Sequence, residues 1–197
     1  LVFALILAVE LFSLFGYYFP QFNQAAFFII LSLVVVASLE DLSFGVFVLL
    51  AELFLGSKGY LFHFDLAGDQ VSWRIALWAV VMTVWALKAV RRYLIDKRDL
   101  VTTEQKEFLR PYLLLLIFVV IAAINGWLHG HEIKYWFFDL NGWIYFTLIF
   151  PLYEILVAEG KDNWRGLKSL FYAAMYFLCL KTIIVFLILK YGQSDFA

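Results

Sequence analysis

Cysteine and charge are both scarce in this chain. There is one cysteine, Cys179, in 197 residues. A single thiol excludes an internal disulfide framework and any cysteine-based zinc site. Charged residues make up 16% of the chain, and the formal net charge is −1. That balance gives no general attraction to nucleic acid. Several motifs are also missing. No glycine-rich phosphate cradle follows a strand, and there is no G-x-S-x-G, H-E-x-x-H or C-x-x-C. No internal repeat is visible, and no two carboxylates share a soluble pocket. The chain opens on Leu1-Val2-Phe3 without a basic n-region, so no signal peptide is read there. It closes on the polar Gln193-Ser194-Asp195-Phe196-Ala197. The expectation is one transmembrane domain over 1–197, part of a longer protein.

What is abundant is apolar surface. Hydrophobic residues make up 64% of the chain and aromatics 20%, with a mean hydropathy of +0.87. Soluble domains sit near ~45–50% apolar, so lipid is the natural solvent for this chain. A spanning helix needs about 20 mostly apolar residues. By that measure about seven candidates are present, at 1–19, 22–39, 42–56, 71–90, 108–129, 137–157 and 168–190. The second and third are short and are divided by the acidic turn Glu40-Asp41, which gives a range of roughly six to eight. The expected fold is an all-α polytopic transmembrane helical bundle. The runs argue against a β-barrel, because they are too long and lack in/out alternation. Pro111 is expected in the first turn of its helix, where a missing N–H costs little. Pro151 is expected to kink the sixth span.

Lysine and arginine set the orientation. The loop 91–107 holds Arg91, Arg92, Lys97, Arg98 and Lys106. The loop 158–167 holds Lys161 and Arg165, with Lys168 just beyond. Both are assigned to the cytoplasm. The loops 57–70 and 130–136 then face the periplasm or the exterior.

Charges inside the apolar runs are the candidate functional residues. Glu52 falls about one turn below the outer surface, and Arg74 about one turn inside the next span. A charge in hydrocarbon is costly and usually pairs or faces a wet cavity. Gly45, Glu52, Gly56 and Gly59 fall on one helical stripe, and small residues on a stripe admit a close neighbour. Glu52 and Arg74 therefore read as a structural ion pair, or as two side chains snorkelling to the interface. Lys181 is too deep in its span for an ordinary end anchor. With Arg74, Lys58, Lys134 and Lys190 it populates the outer half. Such a cationic region suits a phosphate or diphosphate. It reads equally as scattered charges met by Asp65, Asp69, Asp139 or water. Arg74, Lys181 and Lys58 are the candidate diphosphate contacts.

Other residues invite a plainer reading. His129 and His131 form an H-x-H pair with no third ligand at helical spacing, which favours a solvated loop over a metal site. No metal and no cofactor are expected. Glu154 is expected to reach Lys161 and Arg165 at the inner face. Glu10 lies near the middle of the first span. The aromatics of 127–145, with Tyr60, Phe62 and Phe64, read as an interfacial belt rather than a sugar platform.

Three segments carry a family resemblance. They are ELFLGSKGYLFHFDLAGDQVSWRIALW at 52–78, INGWLHG at 124–130 and FFDLNGWIYFTLIFPLY at 137–153. Together they resemble the N-terminal half of the O-antigen ligase and O-antigen polymerase family, over roughly residues 25–190. The pattern E-x-x-x-G-S-K-G-Y-L-F followed by R-I-A-L-W carries most of it. The resemblance implies a multi-span glycosyltransferase of the bacterial inner membrane. It would take glycan from a polyprenyl-diphosphate carrier on the periplasmic side. The partners implied are the bilayer and that lipid-linked glycan, with no nucleic acid. The family's large outer loop, with its essential arginine and histidine, belongs to the second half, so no catalytic residue carries over. His129 and His131 are not that histidine. Two other functions stay open from the residues themselves: half of a transporter or flippase, with Glu52, Arg74 and Lys181 along a path, or a non-catalytic membrane scaffold.

The charge asymmetry yields a direct test. Green fluorescent protein fused within 91–107 or 158–167 is expected to fluoresce, and alkaline phosphatase is expected to be active only when fused within 57–70 or 130–136. The reverse pattern inverts the assignment.

Overall fold

The structure is a computed structural model that describes residues 2–55, 62–66, 69–95, 97, 103–130, 142–158 and 161–191. It is nearly all helical. Helix α1 is Val2–Tyr18, α2 is Pro20–Glu40 and α3 is Leu42–Leu55. A hairpin follows, with β1 at His63–Leu66 and β2 at Asp69–Ser72. Then come α4 at Trp73–Ile95 and α5 at Thr103–Leu128. A 3-10 turn at Tyr145–Leu148 leads into α6 at Ile149–Ala158, and α7 is Lys161–Tyr191. The helices α2, α4, α5 and α7 are long and apolar enough to cross a membrane. The apolar runs near 1–19, 42–56 and 137–157 give shorter helices. Among the described residues, four helices of spanning length thus stand where about seven spans were expected from hydropathy alone.

Local chemistry explains the junctions. Phe19 is extended, and Pro20 stands at the start of α2, where its missing N–H would have had no partner. Between α2 and α3 a single residue leaves the helix. Asp41 is extended, and its carboxylate accepts the Ser43 N–H at 2.8 Å. It is therefore the N-cap of α3, and the acidic turn seen in the sequence is a capped reversal. Ser72 plays the same part for α4, accepting the Ile75 N–H at 3.4 Å.

Helix α3 is the hub. It packs against α2, α4, α6 and α7, and Leu42, Val46, Leu49 and Leu55 on it are buried. Phe27, Val34, Leu77 and Val81 close the core around it. Gly45 lets α2 approach. A β-carbon there would collide with the Ser38 hydroxyl and come within 3.4 Å of Val81 Cγ2. That hydroxyl is itself committed, donating to the Val34 carbonyl at 2.6 Å. Gly56 and Gly59, the other small members of the stripe, lie outside the described residues.

Three expectations need correction. Pro111 is inside α5, not in its first turn. Residues 103–110 are mostly good helix formers, so the helix starts in the polar segment ahead of the apolar run. Pro151 falls in the first turn of α6, where it is tolerated, and the irregular backbone is the 3-10 turn just ahead of it. The start of the fourth span is a strand rather than helix. Strands β1 and β2 are antiparallel, pairing His63 with Ser72 and Leu66 with Asp69. The hairpin is tied to α2 by Asn23 Nδ2, which donates to the His63 carbonyl at 2.7 Å. The Trp73 ring meets Phe27 and Phe62 edge-on at 5.4 and 6.0 Å.

Overpacking a close helix contact costs about 1–3 kcal/mol. Gly45→Ala should therefore lower the melting temperature in detergent, and Ser38→Ala in the same chain should restore part of the loss. A Gly45→Ala protein as stable as the parent would refute the close approach.

Candidate functional site

Each carboxylate embedded in an apolar helix meets a cation from another helix. Glu52 leaves α3 three residues before its end, and Arg74 is the second residue of α4. The Arg74 Nη2 lies 3.7 Å from Glu52 Oε1, with the two side chains 18% and 2% exposed. That separation is Coulombic contact without a hydrogen bond. Neither Glu52 oxygen accepts a hydrogen bond from any described residue.

The second pair joins Glu10 on α1 to Lys181 on α7. The Lys181 ammonium donates to both Glu10 oxygens, at 3.2 and 3.4 Å, and lies 5.8 Å from the Phe177 ring centre. The depth of Lys181, out of place for an end anchor, is answered by Glu10, whose own position had no evident reason in the sequence. Glu10 and Glu52 both line a cavity of about 360 Å³ walled by α1, α2, α3 and α7.

The third pair corrects an expectation. Glu154 on α6 does not reach Lys161 or Arg165. It accepts two hydrogen bonds from Arg92, at 2.6 and 2.9 Å, and one from Trp85 Nε1 at 2.9 Å. A guanidinium fork matches a carboxylate in this geometry. Arg92 stands in the last turn of α4 and reads in sequence only as a topogenic charge. The signal that could have found it is a carboxylate in an apolar run whose helix must pack on α4. Arg165 instead faces Asp162 at 3.5 Å, both well exposed.

The remaining sequence candidates fall as follows. Lys58, Lys134, His131 and Asp139 lie outside the described residues. His129 pairs through Nδ1 with the Asn125 carbonyl at 2.8 Å, a contact that closes the end of α5. The Lys190 ammonium lies 5.4 Å from the Tyr191 ring centre. Among the described residues no three His, Cys, Asp or Glu side chains gather as a metal site would require. The structure brings Glu52 and Arg74 together, and it sets Lys181 on Glu10.

Comparison with family models, with curated proteins and with solved structures finds no match to any. The class rests on the helices themselves. Four of spanning length and apolar composition mark a membrane protein.

Removing one partner of a fully enclosed ion pair costs about 3–5 kcal/mol. Arg92 and Glu154 retain 30% and 17% side-chain exposure, so the cost should be smaller, about 2 kcal/mol after solvent screening. Arg92→Ala and Glu154→Ala should each lower stability by that amount in a denaturation series, and the double variant should lose less than the sum. Additive losses would show that the two side chains do not couple.

Proposed function

We propose that this chain is the transmembrane part of a glycosyltransferase of the bacterial inner membrane, of the O-antigen ligase and polymerase kind. It would take glycan from a polyprenyl-diphosphate carrier at the outer face. The observation that supports this reading is Arg74. Its guanidinium stands at the first turn of α4, beside the β-hairpin, and is held on one side by Glu52. Arginine presents its donors as a planar fork that matches carboxylate and phosphate oxygens. A diphosphate is the ligand class that such a fork binds best.

The chemistry asks for that cation. When an acceptor hydroxyl attacks the anomeric carbon, the bond from that carbon to the diphosphate oxygen breaks, and the carrier leaves with the electron pair. Cations that meet the growing negative charge lower the barrier. A base takes the proton of the acceptor hydroxyl; no described residue is assigned that part. Arg74 and Lys181 each face a carboxylate, Glu52 and Glu10 respectively, and both stay in the candidate set. Lys58, three residues past α3 in sequence, completes the candidate set.

One observation favours a second reading. Glu10 and Glu52 border the same cavity, as intramembrane carboxylates along a transport path would. The test separates the two. Protein in liposomes should bind undecaprenyl diphosphate more tightly than undecaprenol. Arg74→Ala should weaken diphosphate binding about tenfold. Equal affinities for the two lipids would overturn the assignment. Carrier crossing the vesicle bilayer without glycan transfer would favour transport.

A further inference from the structure

The cavity between α1, α2, α3 and α7 has a composition that points to a ligand. Its volume is about 360 Å³, and its walls are aliphatic and aromatic, with Val9, Ile30, Val48 and Trp73 among them. Pockets of roughly 300–1,000 Å³ with apolar walls and few polar groups are the common form of a small-molecule site. Among its described lining residues, Glu10 and Glu52 bring the ionisable groups.

Those two carboxylates are not equivalent. Glu10 accepts the Lys181 ammonium at hydrogen-bond distance. Glu52 is 4% exposed, and neither of its oxygens accepts a hydrogen bond from any described residue. A buried carboxylate without donors is costly, and its lone pairs select what enters. The ligand must bring a hydrogen-bond donor to Glu52 and hydrocarbon to the walls.

Charge narrows the class. Arg74 Nη2 at 3.7 Å already balances Glu52, and Lys181 balances Glu10. An ammonium would meet two cations with no anion left to answer it. A fatty acid would set a third carboxylate beside two. A neutral hydroxyl meets neither obstacle, and it supplies the missing donor.

We propose that this cavity binds a long-chain alcohol, its hydroxyl donating to Glu52 and its chain lying against α1, α3 and α7. The site stands whether or not the chain transfers glycan, since it uses neither the diphosphate nor an acceptor sugar. Phe47 and Gly166 share one wall, where the ring packs closely on α7: a β-carbon at Gly166 would approach Phe47 Cε2 to 3.3 Å.

Trp73 lines the cavity and makes the site observable. Protein in nanodiscs would be titrated with a vicinally dibrominated stearyl alcohol, and tryptophan quenching followed. The methyl ether and the amine of the same brominated chain serve as comparisons. Saturable quenching by the alcohol is expected, absent in Trp73→Phe. The ether, which has no donor, should bind about tenfold more weakly or worse. Ala51→Leu, which fills the cavity, and Glu52→Leu, which removes the acceptor, should each weaken the alcohol by a similar factor. The proposal fails if quenching rises linearly without saturation, if the ether matches the alcohol, or if the amine binds more tightly than either. Should Glu52→Leu not fold, the comparison of alcohol with ether on the unaltered protein decides alone.

Discussion

An ionised carboxylate placed in hydrocarbon needs a cation close by, and among the described residues that need is answered three times. Glu10 meets Lys181, Glu52 meets Arg74, and Glu154 meets Arg92. Each pair joins two different helices: α1 to α7, α3 to α4, and α4 to α6. Lipid tails are as apolar as the helix surfaces, so burial alone gives helices little reason to choose one neighbour over another. The ion pairs supply that choice. A helix rotated away from its partner would leave a charge facing lipid, at a cost of a few kcal/mol. The pairs therefore act on register and rotation more than on gross stability.

Around these contacts the packing is uneven. Helix α3 is enclosed by four neighbours, and Gly45 lets the Ser38 side chain of α2 sit close against it. Helix α5 is the opposite case. None of its described side chains beyond Gln105 is buried. It touches the bundle near its start, where Gln105 Nε2 donates to the Phe150 carbonyl and the Phe108 ring lies 5.2 Å from Tyr153. The rest of α5 presents leucine, isoleucine and phenylalanine outward, as a lipid-facing helix does.

The helical class and the apolar runs were legible because both follow from composition and length, which lipid constrains tightly. The break at Glu40-Asp41 was legible because a carboxylate between two apolar runs is a capping signal. The partner of Arg74 was within reach, since consecutive spans place Glu52 and Arg74 at one level. Glu10–Lys181 and Glu154–Arg92 were not, because their partners are 171 and 62 residues apart in the chain. No local rule ranks such pairings. The hairpin was missed for another reason: its two strands of four residues sit in an aromatic-rich stretch that looks like an interfacial belt.

The level at which the hairpin docks has a mechanical consequence for a surrounding bilayer. At ~1.5 Å per residue, the 14 residues of α3 rise about 21 Å, and the 21 of α2 about 32 Å. The two start from the same capped reversal at Asp41, so the described part of α3 reaches roughly 10 Å less far than α2. The hairpin docks at that level, on Asn23 and Phe27 near the start of α2. Strand backbone thus stands beside the first turns of α2. Lipid meeting polar backbone at that level would thin, at a fraction of a kcal/mol per ångström of mismatch, and the protein's preference among membranes should then follow acyl-chain length.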